Sequence, residues 1–465
     1  MPVKRSTATI DRALWAALLA AALVRAAAVL WLGDTIPYSD YFYYHEAGRM
    51  QAADWGFLFR HETVLKFAKL NWWPPGYPLF LAALYSLAGV HFRVAVFAQV
   101  VLGVLTCAFV YAFATRAAGR RAGLIATWLI ALDPTYVFTC NLIASENLFA
   151  PLLALGLWLA VRDAPGPGAT GRAIVRHFAP AGVVLGLATL VRAAGLCVPW
   201  VVAVWLWKRT PDHATAEPSA AATDRAHRFF RLHPGRVAAV AVLGAFFLTL
   251  APWTARNAFV AGSPALVCFG GGLNFYFGQS VGPLGYRELS TTPLAGLHDV
   301  STIDRRGYAL GLSYIAHDPL GFVTRGVRKI GALFAPPTYA LHANSAILIP
   351  DPQAQPELAG EAAAKRARQQ AKDAVLHGPL AFVAALHTYL LLAGAVFVVW
   401  RGSRSGVGLA PELWLAASIV AVWIVVHAVF WAQPRFRYPI EIPMAVLAAA
   451  TLRSRYDEPR AKTAR

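Results

Sequence analysis

The sequence is poor in charge. Only 14% of its 465 residues are Asp, Glu, Lys or Arg, while 57% are hydrophobic. Soluble domains carry about 25% charged residues, so a soluble globular enzyme is excluded. Cysteine is scarce as well: Cys107, Cys140, Cys197 and Cys268 are the four. The first three lie in apolar stretches and no CxxC pair occurs, which excludes a disulfide framework and a cysteine metal knuckle. There is no Asn-x-Ser/Thr sequon, which speaks against a face in the endoplasmic reticulum lumen. HExxH, GxSxG, a Walker A loop and GxGxxG at a strand–helix boundary are all missing. Histidines are scattered singly, so a His-rich zinc site is not expected. No heptad or solenoid period is present.

Apolar length is what the chain has in abundance. Its mean hydropathy is +0.49, and a membrane-spanning helix needs ~20 apolar residues. Ten stretches read as spans, near 12–32, 94–115, 122–141, 145–161, 178–193, 194–207, 237–256, 379–400, 411–431 and 438–452. The expected fold class is an all-α polytopic membrane protein with about ten transmembrane helices and two long outer loops carrying interfacial helices. The whole of 1–465 reads as one membrane-embedded domain.

The net charge is +18. No basic helix with interleaved stacking aromatics accompanies it, so nucleic acid is not an expected partner. The arginines sit instead beside apolar segments. Arg116, Arg120 and Arg121 mark one short loop, Arg162, Arg172 and Arg176 the next, and Lys208 to Arg236 a third, with more at Arg401, Arg404 and the C-terminal tail. By the positive-inside bias these loops are cytoplasmic, as is the N-terminus. Lys4, Arg5 and Arg12 precede a first span that reads as an uncleaved signal-anchor. This orientation requires that Gly76–Val90 does not cross. It has 15 residues and follows Pro74-Pro75, and it reads as a re-entrant or interfacial helix. The first outer region is then 33–93 and the second 257–378, the latter with an amphipathic run at Pro356–Asp373; residues 379–465 hold the C-terminal helices. Irregular backbone cannot face lipid, and loops on a rigid scaffold are where chemistry concentrates. Thr210–Thr223 reads as a flexible cytoplasmic loop. The Ala- and Arg-rich composition points to a bacterial inner membrane.

The unusual polar residues gather at the outer boundary. Tyr38-Ser39-Asp40-Tyr41-Phe42-Tyr43-Tyr44-His45-Glu46 puts an acid among interfacial aromatics, where a lipid-borne phosphate would lie; the alternative is a helix cap and a tyrosine belt. Ser145-Glu146-Asn147 opens a span with an acid that either faces a cavity or serves the helix dipole. Trp72-Trp73-Pro74-Pro75-Gly76-Tyr77-Pro78 reads as a rigid corner with aromatic anchors. Pro252-Trp253-Thr254-Ala255-Arg256-Asn257 places Arg256 on the outer side against the positive-inside bias, so it asks for an anion, a phosphate or lipid headgroups. Arg192 is a similar case with a more structural character. The glycines at 270–272, followed by Leu273-Asn274, form a weak phosphate loop or a turn. Arg435-Phe436-Arg437-Tyr438-Pro439-Ile440-Glu441 is either a charge cluster facing a cavity or a structural Arg437–Glu441 pair.

Taken together and in order, these motifs resemble the GT-C superfamily of membrane glycosyltransferases, in the branch of protein O-mannosyltransferases and lipid A aminoarabinose transferases. The resemblance rests on the acid and tyrosines around Asp40, Pro74-Pro75-Gly76-Tyr77-Pro78, Ser145-Glu146-Asn147-Leu148-Phe149, Gly186 to Arg192, Pro252 to Asn257 and Arg435 to Pro439. It implies an inverting transfer of a sugar from a polyprenyl-phosphate donor to a lipid, glycan or protein acceptor at the outer membrane face. It implies that Asp40 is the catalytic base or orients a metal, and that Glu146 is a second acid where some members hold a divalent cation; no organic cofactor is expected. Two departures matter. Tyr41 stands where the family has a second acid, and Pro75 stands where aminoarabinose transferases carry a lysine. Phosphate binding is then expected from Arg256, Lys69, His45, Arg437 and Asn274. The rival reading is a transporter or flippase of a lipid-linked sugar, against which stands the lack of inverted-repeat symmetry and of mid-depth acids.

Overall fold

The computed structural model describes residues 11–33, 40–60, 71–166, 169–209, 233–280, 292–336, 372, 375–404 and 408–452. All regular structure among them is helical. In chain order the helices are α1 (Arg12–Leu32), α2 (Asp40–Ala53), α3 (Gly76–Ala88), α4 (Phe92–Ala118), α5 (Arg120–Ala131), α6 (Pro134–Thr139), α7 (Glu146–Val161) and α8 (Gly171–Val191). They continue with α9 (Val198–Lys208), α10 (Pro234–Ala261), α11 (Gly271–Gln279), α12 (Val300–His317), α13 (Pro319–Leu333), α14 (Pro379–Arg404), α15 (Pro411–Val429) and α16 (Tyr438–Ala450). Short 3₁₀ turns lie at Phe57–Phe59, Ala193–Cys197 and Pro434–Arg437. Six helices, α1, α4, α8, α10, α14 and α15, are long and apolar enough to cross a bilayer. The chain is a multi-pass integral membrane protein.

The other expected spans appear as shorter helices. α7, α9 and α16 have 16, 11 and 13 residues, and at 1.5 Å per residue all are shorter than a ~30 Å hydrocarbon core. Helix α3 is likewise found where 76–90 was expected, with 13 residues. The span expected at 122–141 is broken into α5 and α6. Pro134 has no N–H to continue the helix, and Asp133 caps the new one by accepting from the Thr135 N–H at 2.8 Å. The break frees carbonyls that lipid could not satisfy. Arg25, fully buried in α1, fills that need: Nη1 donates to Ala131 O at 2.8 Å and Nη2 to Ile130 O at 2.9 Å. The amphipathic run 356–373 lies outside the described residues except for Lys372, as does the loop 210–223.

Close helix crossings use small residues, as expected where lipid supplies no hydrophobic drive between helices. Gly182 and Gly186, one turn apart on α8, press on α10: a Cβ at Gly182 would collide with Val242 O, and one at Gly186 would lie 2.8 Å from Thr249 Cβ. Gly182→Val is therefore expected to cost about 1–3 kcal/mol or more through overpacking. A thermal unfolding curve in detergent checks this; an unchanged midpoint would mean that the crossing relaxes freely.

The short arginine-bearing loops meet at one end of the bundle. Arg209 reaches Glu412 at 2.8 Å, and Arg116 reaches both Glu412 at 3.4 Å and Asp163 at 3.3 Å. Asp11 binds Arg120 at 2.8 Å and accepts from the Tyr111 hydroxyl at 3.0 Å. Glu146 opens α7, which ends just before Asp163, and Arg435 follows α15, whose first turn holds Glu412, so both lie at the helix ends away from these pairs.

Candidate functional site

Asp40 is the first residue of α2, where the free amides of the helix start favour a negative charge. One face of α2, with Tyr41, Tyr44, Ala47, Gly48 and Gln51, is buried. Gly48 lets it close on α3, since a Cβ there would lie 2.6 Å from Leu81 Cβ. Packing thus fixes α2 and leaves the Asp40 side chain about a third exposed, at 29%. Its partner is Arg435, whose Nη2 donates to Asp40 Oδ2 at 2.6 Å. Arg435 sits in the Pro434–Arg437 turn that joins α15 to α16, 395 residues away in sequence.

Phe436 is the hub of the site. The Arg435 guanidinium carbon lies 5.1 Å from the centre of its ring and that of Arg192 lies 5.8 Å from it. Its backbone is tied down by Trp423 Nε1, which donates to Phe436 O at 2.9 Å. His427 and Trp431 border the ring at 5.4 and 5.6 Å. Arg192 follows the last residue of α8 in an extended conformation that turns its side chain toward α7. There its Nη1 lies 2.7 Å from Glu146 Oε1 and donates to Ser145 Oγ at 2.9 Å. Ser145 makes no side-chain cap on α7. Its hydroxyl instead accepts from Arg192 and from Tyr44 Oη, the latter at 3.4 Å. Burial first, and then the nearby Asp40 charge, push the Tyr44 hydroxyl above its ordinary range, so it is a neutral donor.

The result is a continuous chain of contacts, Asp40–Arg435–Phe436–Arg192–Glu146, closed by Tyr44 and Ser145. Two carboxylates and two guanidinium groups share one end of the bundle on four elements. Side-chain exposure falls from Asp40 through Arg435 and Arg192, at 15% and 14%, to Glu146 at 5%. Guanidinium forks such as those of Arg435 and Arg192 match phosphate oxygens. Asp40 beside them can accept a proton from a hydroxyl.

Several expected site residues lie elsewhere. Arg256 is buried and turned inward. Its Nε donates to Leu58 O at 2.7 Å, with Nη2 on the same carbonyl, and Nη1 donates to Asn71 Oδ1 at 2.9 Å and Asn257 Oδ1 at 3.0 Å. Leu58 lies past the far end of α2, held by Gln51 Oε1 at 3.0 Å, so Asp40 and Arg256 are separated by the length of that helix, ~20 Å. Arg437 is fully buried and its donors go to Glu441 at 2.9 Å, Leu333 O at 2.7 Å, Ala335 O at 3.0 Å and Thr388 Oγ1 at 3.2 Å; the structural pair is the arrangement found. His45 Nδ1 meets Tyr85 Oη at 2.8 Å. Burial lowers the His45 pKa. Asn274 is exposed on α11. The glycines beside it serve packing: Gly270 closes on Trp72 O and Gly272 on Asp304 O, and the Asp304 carboxylate already takes the Gly272 N–H at 2.7 Å. Lys69 lies outside the described residues. The sequence reading named Arg435 and Arg192 but not their partners, Asp40 and Glu146. The signal was present for the first: Arg437 has its acid four residues on at Glu441, which leaves Arg435 to find another.

The acids do not form a metal set as placed. Asp40 and Glu146 each face an arginine, and among the described residues no group of three or more His, Cys, Asp or Glu is gathered.

Comparison with known proteins bears on this arrangement. The family model described as "Dolichyl-phosphate-mannose-protein mannosyltransferase" matches residues 73–218. That stretch holds three of the motifs behind the GT-C resemblance, at 74–78, 145–149 and 186–192, and the match bears the resemblance out there. No curated protein matches in sequence. Among solved structures, the chain is similar to the archaeal oligosaccharyltransferase AglB from Archaeoglobus fulgidus in complex with an inhibitory peptide and a dolichol-phosphate, at 16% identity and a TM-score of 0.48 over 94% of this chain and 50% of that one. The Archaeoglobus fulgidus oligosaccharyltransferase complex with Zn and sulfate is similar at 17% identity and a TM-score of 0.41, over 93% and 48% of the two chains. ArnT from Cupriavidus metallidurans bound to undecaprenyl phosphate is similar at 15% identity and a TM-score of 0.37, over 94% and 78%. The chain spans about half the length of the archaeal structures it matches.

Proposed function

We propose that this protein transfers a sugar from a polyprenyl-phosphate donor to a hydroxyl acceptor at the outer membrane face. The observation that carries the reading is the Asp40–Arg435 contact at 2.6 Å, a base and a phosphate-binding fork side by side at the end of the bundle away from the basic loops. The acceptor hydroxyl gives its proton to Asp40 as its oxygen bonds to the anomeric carbon. The bond from that carbon to the phosphate oxygen breaks on the opposite side, so configuration inverts. The polyprenyl phosphate leaves with its charge held by Arg435 and Arg192. Arg435 exchanges Asp40 for the donor phosphate as the donor arrives, which frees the carboxylate to act. Tyr44, a neutral donor pinned between Tyr77 and Trp73 at 5.2 and 6.2 Å, orients the Ser145–Arg192 side of the pocket.

The test is incubation of the purified protein in liposomes with a radiolabelled polyprenyl-phosphate sugar and an acceptor extract. A new labelled glycoconjugate is expected. Label that only changes leaflet, still joined to its phosphate, would replace the enzyme reading with the flippase.

A further inference from the structure

Lys329 lies outside the chain of contacts around Phe436, on α13 of the second outer region. It is 5% exposed. A buried ammonium must have its N–H groups satisfied or the burial is costly. Lys329 Nζ has three acceptors, Gly278 O at 2.9 Å, Val429 O at 3.1 Å and Phe430 O at 2.9 Å. All belong to helix C-termini: Gly278 to the last turn of α11, Val429 and Phe430 to the end of α15. Such carbonyls lack intrahelical partners, and the helix dipole favours a cation beside them. The joint is tight. Only glycine at 278 lets α11 reach the Phe430 carbonyl, which a Cβ would strike, and Gln279 Nε2 donates to Val429 O at 2.5 Å.

One turn further along α13, Leu333 offers its carbonyl to Arg437, and Ala335 does the same just beyond the helix. Helix α13 therefore grips the segment 430–437 at both ends, through Lys329 at its root and Arg437 at its tip. Arg435 and Phe436 lie between the two grips.

We propose that α13 is a brace for the Arg435 turn and that Lys329 is a positioning residue that sets where the Arg435 guanidinium meets the donor phosphate, an inference that rests on the reading of the site given above. Burial, and then Arg325, hold the Lys329 ammonium down to about 8. The other charged or titratable groups on the elements packed here are Arg328 on α13, Asp318 before it, Tyr276 on α11, Asp304, Arg305, Arg306, Tyr308, Tyr314 and His317 on α12, Glu412 and His427 on α15, and Arg435 and Arg437 in the turn; the ammonium's bonds go to carbonyls. Above its pKa the amine keeps two N–H groups and turns a lone pair toward a carbonyl, so the grip loosens as pH rises through about 8.

The experiment compares wild type, Lys329→Met and Lys329→Arg as full chains in lipid nanodiscs. Hydrogen–deuterium exchange reads the backbone of 430–437, and transfer assays read donor KM and kcat from neutral to alkaline pH. Lys329→Met is expected to lose exchange protection at 430–437 and to raise donor KM by about 10-fold, the loss of one well-placed hydrogen-bonding charge, with a smaller change in kcat. General loosening would instead lower the active fraction, and so kcat, with KM unmoved. Lys329→Arg stays cationic at every pH. It is expected to keep the wild-type KM and to remain active above the pH of about 8 where wild type declines. Unchanged protection in the Met variant overturns the brace, and protection lost without a rise in donor KM overturns the positioning role. If Lys329→Met does not insert, the Arg variant decides, and pH profiles that coincide with wild type overturn the proposal. A wild-type protein that neither binds nor transfers the donor would sink the reading of the site, while exchange at 430–437 still judges the brace.

Discussion

Asp40→Asn is expected to cut sugar transfer by about 10²–10⁴-fold, the range a positioned general base supplies. The amide has the size of the carboxyl and keeps a polar group at the start of α2, but it has no lone pair basic enough to take the acceptor proton. Donor binding should survive. Arg435 loses an internal competitor for its guanidinium, so donor KM is expected to stay level or fall. That split separates the two roles open to Asp40. If the acid only complemented the dipole of α2, its removal would cost under about 1 kcal/mol of stability and leave kcat close to wild type. Kinetics on protein shown to be inserted and monodisperse decide between them, and near-normal turnover would remove Asp40 from the chemistry. Asp40→Glu is a useful companion. It restores a carboxylate on a longer arm, and activity between the two would show that the base must be placed as well as present.

Much of this protein can be read before any coordinates are seen, for reasons that differ by level. The helices follow from hydrophobic length, which is local. The grouping of polar motifs at one end follows from the arginine bias of short loops, and the structure gathers those loops through Glu412 and Asp163. The break at Asp133-Pro134 was not read, and 122–141 was taken as one span, although a capping acid before a proline inside an apolar run is a stop and a start. Partner choice was not legible. Arg256, Arg435 and Arg437 are alike in sequence: each is an arginine in a motif assigned to the outer side, with an aromatic within three residues. Their fates depend on residues far along the chain. Arg256 meets a carbonyl 198 positions away and Arg435 an acid 395 positions away. Only Arg437 has its partner within reach of helical spacing, at Glu441, and that pair was anticipated as an alternative. The glycines at 270–272 were left open between a phosphate loop and a turn for a related reason. A run of glycines permits an anion or a neighbouring helix to approach the backbone, and local sequence cannot say which; here α12 does, through Asp304 and Gly307.

Arg435 and Arg256, which the sequence could not rank, give the second large effect. Arg435→Met is expected to raise donor KM and lower kcat so that kcat/KM falls about 10–100-fold, equivalent to the 1.5–3 kcal/mol of a hydrogen bond to a charged group. Arg435→Lys should recover only part of this, because an ammonium is a point charge and cannot present two parallel N–H groups to a phosphate. Arg256→Met should behave differently. It strips donors from Leu58 O, Asn71 and Asn257, all inside the protein. Leaving buried acceptors unmet costs about 1–3 kcal/mol each, so the variant is expected to unfold at lower temperature. The fraction that stays folded should keep a donor KM near wild type. Arg256 ties Leu58 and Asn71 to α10, whereas Arg435 meets Asp40. Measuring both variants side by side makes the assignment vulnerable. If Arg256→Met raised donor KM while Arg435→Met did not, the phosphate would have to lie at the far end of α2, a helix length from Asp40. A base that distant from the leaving group could not act on the attacking hydroxyl, because proton transfer needs heavy atoms within ~3 Å of each other.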